Sequence, residues 1–245
     1  MSPQLHPFDI ARQPDDTTCG PTCLHAIYAY YGEDVELAEI IASVPELDEG
    51  GTLGVLLATD ALRRGYTVKI ATFNLRVFDP TWFTGAAVDL RAKLLARADA
   101  LRDDAKGAYV TEAYARFVEL GGHIELRDID ADTLRRPLRR GVPILTGLSS
   151  TFLYREIRAR GSKGSKIVID DDIRGDPEGH FVVLTGYDSQ TRQIEVSDPL
   201  HPNPLSATHK YRVGVWRVIG AIYLGVLTYD GILITIEAPH KKRPH

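Results

Sequence analysis

The stretch Gln13, Pro14, Asp15, Asp16, Thr17, Thr18, Cys19, Gly20, Pro21 decides how this chain is read. The residues before it are irregular, broken by Pro3, Pro7 and Pro14. A helix is expected to begin near Cys19, with Pro21 in its first turn, where a missing N–H costs nothing. Leu24, Ile27, Tyr28 and Tyr31 follow at helical spacing, and Gly32 stops the run. A cysteine at a helix start lies against unpaired N–H groups and the positive end of the dipole, which favour a thiolate. Gln13, on the irregular segment before it, can donate from its side-chain amide to a developing oxyanion, with the Cys19 N–H as second donor. Cys23, one turn inside the helix, is read as a small buried apolar residue.

Two further places in the sequence complete a reactive set. His180 follows Gly179 and opens the apolar run Phe181 to Leu184, so its ring can face a cleft while its neighbours build a core. Asp198 ends the run Ile194 to Val196, and Pro199 holds it extended. An antiparallel strand returning beside His180 would set this carboxylate against the imidazole, fixing its orientation and tautomer. The order Gln, Cys, His, Asp thus supplies oxyanion donor, nucleophile, base and orienting group.

With Gln13 to Pro21, Gly179-His180 with its apolar run, and Val196 to Pro199 on the page, the sequence closely resembles the bacteriocin-processing, double-glycine peptidase family and its stand-alone relatives. These are papain-like cysteine peptidases. The resemblance implies Gln13 as oxyanion residue, Cys19 as nucleophile, His180 as base and Asp198 as orienting residue. It covers the first ~40 and last ~70 residues well; the middle is matched only by position. It implies a peptide or protein substrate and no metal or organic cofactor. The same thioester chemistry with an amine acceptor would make a transpeptidase of the phytochelatin-synthase kind. A non-catalytic peptide-binding module on the same fold is a third reading, which an intact quartet disfavours.

Around these motifs the pattern is mostly helical first and mostly sheet later. Helices are expected after Asp34 and Thr52, over 89–105 and 111–120, after Asp132, and over 213–224; strands over 66–73, 124–129, 142–148, 180–187, 193–196 and 231–236. The expected fold is α+β and papain-like: one domain over 1–245, a helical lobe over about 1–140, an antiparallel β lobe over about 141–245, and the active-site cleft between them. Residues 150–178 form an insertion, a longer polar connection than a turn requires, and are read as a flap beside the cleft.

Composition is that of an ordinary soluble protein: 245 residues, 44% hydrophobic, 25% charged, net charge -4. The charge disfavours a nucleic-acid partner. No apolar run reaches the ~18 residues of a membrane span, and the start has no signal pattern. Cys19 and Cys23 cannot frame a disulfide scaffold, so a reduced, cytoplasmic protein is expected. The sequence sets no oligomeric state. The acidic run Asp170, Asp171, Asp172, Asp176 and Glu178 is read as a solvated loop at the cleft rim, and Trp82 and Trp216 as core aromatics. The basic residues Lys241, Lys242 and Arg243 read as a solvated tail.

Overall fold

Alternating apolar residues build a seven-stranded sheet with a core on each face. The computed structural model describes residues 7–48, 50–85, 87–161, 168–228 and 231–238. Five helices come first or between early strands: α1 (Cys19–Tyr30), α2 (Leu37–Ser43), α3 (Gly54–Arg63), α4 (Leu90–Ala100) and α5 (Ala105–Glu119). With them come β1 (Thr67–Thr72) and β2 (His123–Leu126). Then follow α6 (Ala131–Arg139), β3 (Ile144–Ser149), α7 (Ser150–Tyr154), β4 (Ala159–Gly161), β5 (Val168–Asp170), β6 (Gly179–Asp188), β7 (Gln193–Ser197), β8 (Lys210–Gly214), α8 (Val215–Leu224) and β9 (Ile232–Glu237).

The large sheet has the order β2-β1-β9-β3-β6-β7-β8, with only the β1–β2 pair parallel. The central strands are buried on both faces, so alternate residues enter different cores. On β6, Phe181 and Val183 enter the core that also holds α1, α3 and α5, whereas Val182 and Leu184 enter the one that holds α6, α7 and α8. The α+β fold is therefore three layers deep around His180's strand. Burying one such side chain contributes about 1.5–3 kcal/mol, so the two cores hold β6 firmly in register.

Several boundaries differ from the sequence pattern. Thr52 does not cap α3: its hydroxyl donates to Pro45 O at 2.9 Å, and Leu53 holds the cap position. Glu36 rather than Asp34 precedes α2. Asp130, in a capping box with Thr133, starts α6 ahead of Asp132. The helix expected over 213–224 begins only at Val215, because Tyr211 and Val213 alternate inward as the edge strand β8. Trp216 is 66% exposed rather than core, while Trp82 packs on the first core.

Residues 150–178 resolve into distinct parts. Helix α7 buries Leu153 and Tyr154 in the second core, and β4 pairs with β5 as a small hairpin. Most of the Gly-Ser-Lys loop of the expected flap, residues 162–167, lies outside the described residues, as do His6, His240, His245 and the basic tail.

One close approach sets the reactive end of α1. A Cβ on Gly20 would lie 2.9 Å from Leu57 Cδ1, 2.9 Å from Thr52 Cγ2 and 3.3 Å from Phe181 Cδ2. Only glycine lets the first turn of α1 seat on β6 and α3 at that depth. Gly20→Ala is expected to cost about 1–3 kcal/mol through overpacking, read as a lower urea midpoint with an unchanged denaturant slope.

Candidate active site

Cys19 is the first residue of α1, and Thr18 at the cap offers no side-chain hydrogen bond to the helix. The helix start is instead braced from the preceding loop. Asp15 Oδ1 accepts from Thr17 N at 2.9 Å, and Thr22 donates from both N and Oγ1 to Thr18 O, at 3.1 and 2.8 Å. Gln13 N donates to Pro199 O at 3.0 Å, tying this loop to the turn after Asp198. Gln13 Nε2 donates to Asp15 O at 2.7 Å, which occupies one of its two N–H groups, while Oε1 is buried without a hydrogen-bond partner among the described residues.

His180 sits at the start of β6 and Asp198 just past the end of β7, its antiparallel neighbour. Their separation along the chain collapses to a 2.8 Å contact between His180 Nε2 and Asp198 Oδ1. The Cys19 side chain also interacts with the His180 ring and helps to raise its pKa. The three sequence-predicted residues Cys19, His180 and Asp198 thus form one chain of contacts, with Gln13 on the adjoining loop. All four are buried.

The carboxylate is saturated with donors. Asp198 Oδ1 also accepts from Leu200 N at 2.9 Å, and Oδ2 accepts from Tyr154 and Tyr211 hydroxyls, each at 2.6 Å. Burial alone would raise the Asp198 pKa, but His180 and the two phenols outweigh it and hold the carboxyl below its usual range. At His180 burial opposes the charge, yet the bonds to Asp198 and Cys19 prevail and raise its pKa to about 10. The phenols of Tyr154 and Tyr211 are pushed up, by burial first and the Asp198 charge second. They remain protonated donors.

Tyr154, Tyr211 and His209 were not legible as site residues. His209 Nδ1 lies 2.7 Å from Asp198 O, and Asp198 N donates back to His209 O at 2.8 Å. Tyr211 carried one weak signal, an inward position in an alternating run; Tyr154 carried none, since its role depends on where α7 packs. Cys23 stands apart: wholly buried, its thiol donates to Phe181 O at 3.3 Å, and burial raises its pKa well above the usual range. Of the acidic run, Glu178 flanks His180, and its pKa is raised by burial first and then by Asp16 and Asp170. No group of His, Cys, Asp and Glu among the described residues is arranged to hold a metal. No helix among them is long and apolar enough to cross a membrane.

Residues 102–223 match the model of the Peptidase_C39 like family. This stretch belongs to that family. The C39-like stretch holds His180, Asp198, Tyr154 and Tyr211, and Gln13 and Cys19 lie ahead of it. Two solved structures are similar over most of the chain. The peptidase domain of Streptococcus ComA, a bi-functional ABC transporter involved in quorum sensing, is 14% identical with a TM-score of 0.43, covering 96% of this chain and 100% of that one. Xylellain, a cysteine protease from Xylella fastidiosa, is 14% identical with a TM-score of 0.41, covering 98% and 87%. No curated protein matches the chain.

The raised His180 pKa gives a signed expectation. A group whose pKa is raised on folding stabilises the fold fully below its unfolded value, ordinarily 6.5, and loses that contribution as pH rises through about 10. Asp198→Asn removes the carboxylate's charge while an amide still accepts from Nε2. His180 is then expected to titrate well below 10 by imidazole NMR, and the alkaline loss of stability to move down with it. Tyr211→Phe is expected to cost about 1.5–3 kcal/mol in urea unfolding, the usual range for a hydrogen bond to a charged group.

Proposed function

We propose that this chain is a cysteine peptidase that cleaves an amide bond in a peptide substrate. The single observation that carries the reading is the continuous contact Cys19–His180–Asp198, with the cysteine at the first residue of a helix. The C39-like match over residues 102–223 supports the same reading.

The geometry supports the following course. His180, held charged beside Asp198, pairs with the Cys19 thiolate. The sulfur attacks the substrate carbonyl carbon, and the Cys19 N–H and the remaining Gln13 Nε2–H donate to the oxyanion. His180 gives its proton to the leaving amine as the C–N bond breaks, leaving a thioester on Cys19. Water then gives a proton to His180 and attacks the thioester. The acid leaves, and the Cys19–His180 pair is restored. Asp198 carries no proton in the cycle; it orients the ring and stabilises the imidazolium. Its donors on every side keep that role in place.

Cys19→Ala is expected to abolish turnover in a peptide-library cleavage profile with the fold intact, and Cys23→Ala to keep most of it. Iodoacetamide near neutral pH is expected to label Cys19 well before Cys23. Gln13→Ala is expected to lower kcat by about 100–1,000-fold, as removal of one oxyanion donor does. An essential Cys23 with a dispensable Cys19 would overturn the assignment. Mass spectrometry with added amines tests the acceptor: amide products in place of the free acid would replace hydrolysis by transfer.

A further inference from the structure

A cavity of about 390 Å³ lies outside the triad, between α7 and α8, lined by Thr151, Phe152, Arg155, Trp216 and Arg217. Its two arginines have no carboxylate partner among the described residues. Arg217 Nε is buried with no hydrogen-bond partner among the described residues. Burial first, and the charge of Arg155 second, hold the Arg217 pKa below its ordinary value. With no carboxylate partner among the described residues, exposed Arg155 and half-buried Arg217 leave uncompensated positive charge at the cavity wall.

The surroundings point the same way. Arg155 ends α7 in the left-handed region, at φ 61°, a place that favours glycine. Helix α8 opens with Gly214 at its cap and no side-chain cap bond, and its first turn has no acidic residue. Its dipole therefore adds to the positive field. Phe152 and Trp216, 44% and 66% exposed, stand beside the arginines as open apolar walls.

The cavity is coupled to the triad through α7. Ser150 N donates to Glu178 O at 3.0 Å, and Glu178 N donates to Thr151 Oγ1 at 2.9 Å, two residues before His180. Tyr154 on the same short helix holds Asp198. A chain lodged against Thr151 and Phe152 therefore lies on the element that borders the catalytic strand.

We propose that this cavity is an exosite for a peptide substrate, in which Arg155 and Arg217 take a Glu or Asp side chain and Phe152 and Trp216 take an adjacent apolar residue. The peptide being a substrate rests on the peptidase reading above; the binding itself does not. The test uses the full chain carrying Cys19→Ala and two acetylated, amidated peptides, Gly-Ser-Phe-Glu-Ser-Gly and its Gln counterpart, followed by titration calorimetry and Trp216 emission. The Glu peptide is expected to bind about tenfold tighter, the scale of a hydrogen-bonded charge contact. That preference is expected to vanish in Arg217→Gln and to fall in Arg155→Gln. Equal binding of the two peptides, or a preference that survives Arg217→Gln, overturns the exosite. So does inorganic phosphate binding as tightly as the Glu peptide, which would make the cavity a free-anion site. Unchanged unfolding midpoints in both variants exclude a general loss of structure. If the chain with Cys19 intact never turns over peptide while the Glu preference stands, the peptidase reading fails and the binding site remains.

Discussion

A wholly buried carboxylate governs this structure. Asp198 has no access to water, and an uncompensated charge there would be costly. Every direction of approach is therefore filled: His180 and Leu200 on one oxygen, Tyr154 and Tyr211 on the other. These donors come from β6, the turn after β7, α7 and β8, so satisfying one charge fixes four pieces of chain relative to each other. The Gln13 bond to Pro199 brings the loop ahead of α1 into the same cluster.

That constraint separates the two cysteines' fates. Both are buried, and both lie on the helix face toward β6. Cys19, at the helix start, meets the imidazole that Asp198 keeps charged. Cys23, one turn further, meets only the Phe181 carbonyl and an apolar core, which holds its thiol protonated. A displacement of one helical turn thus separates a sulfur beside the His180 ring from one sealed in the core. The depth of that turn depends on the missing side chain at Gly20.

A second polar network, remote from the triad, steadies the helical layer. Asp60 accepts from Tyr28, Ser43 and Arg64, and Arg64 reaches Glu33 and Glu39 as well. It ties α1, α2 and α3 together at the end of α1 away from Cys19. The helix that carries the nucleophile candidate is anchored at both ends by polar contacts and along its length by the first core.

The sequence by itself determined most of the helices and strands, because their signals are local: apolar spacing in α1, alternation in β1, an unbroken apolar run in β6, and left-handed glycines at 32, 65 and 121. It also marked Gln13, Cys19, His180 and Asp198, because a reactive residue beside a glycine or proline at an element's edge leaves a readable pattern. Tertiary structure alone decided that β1 and β2 join the sheet beyond β9, that Trp216 faces out, and that Tyr154 and Tyr211 converge on Asp198. Such facts depend on which surfaces meet. A tyrosine that packs in a core and a tyrosine that donates to a buried carboxylate have the same spacing in the chain. Only burial of the partner, which involves residues far apart in sequence, distinguishes them.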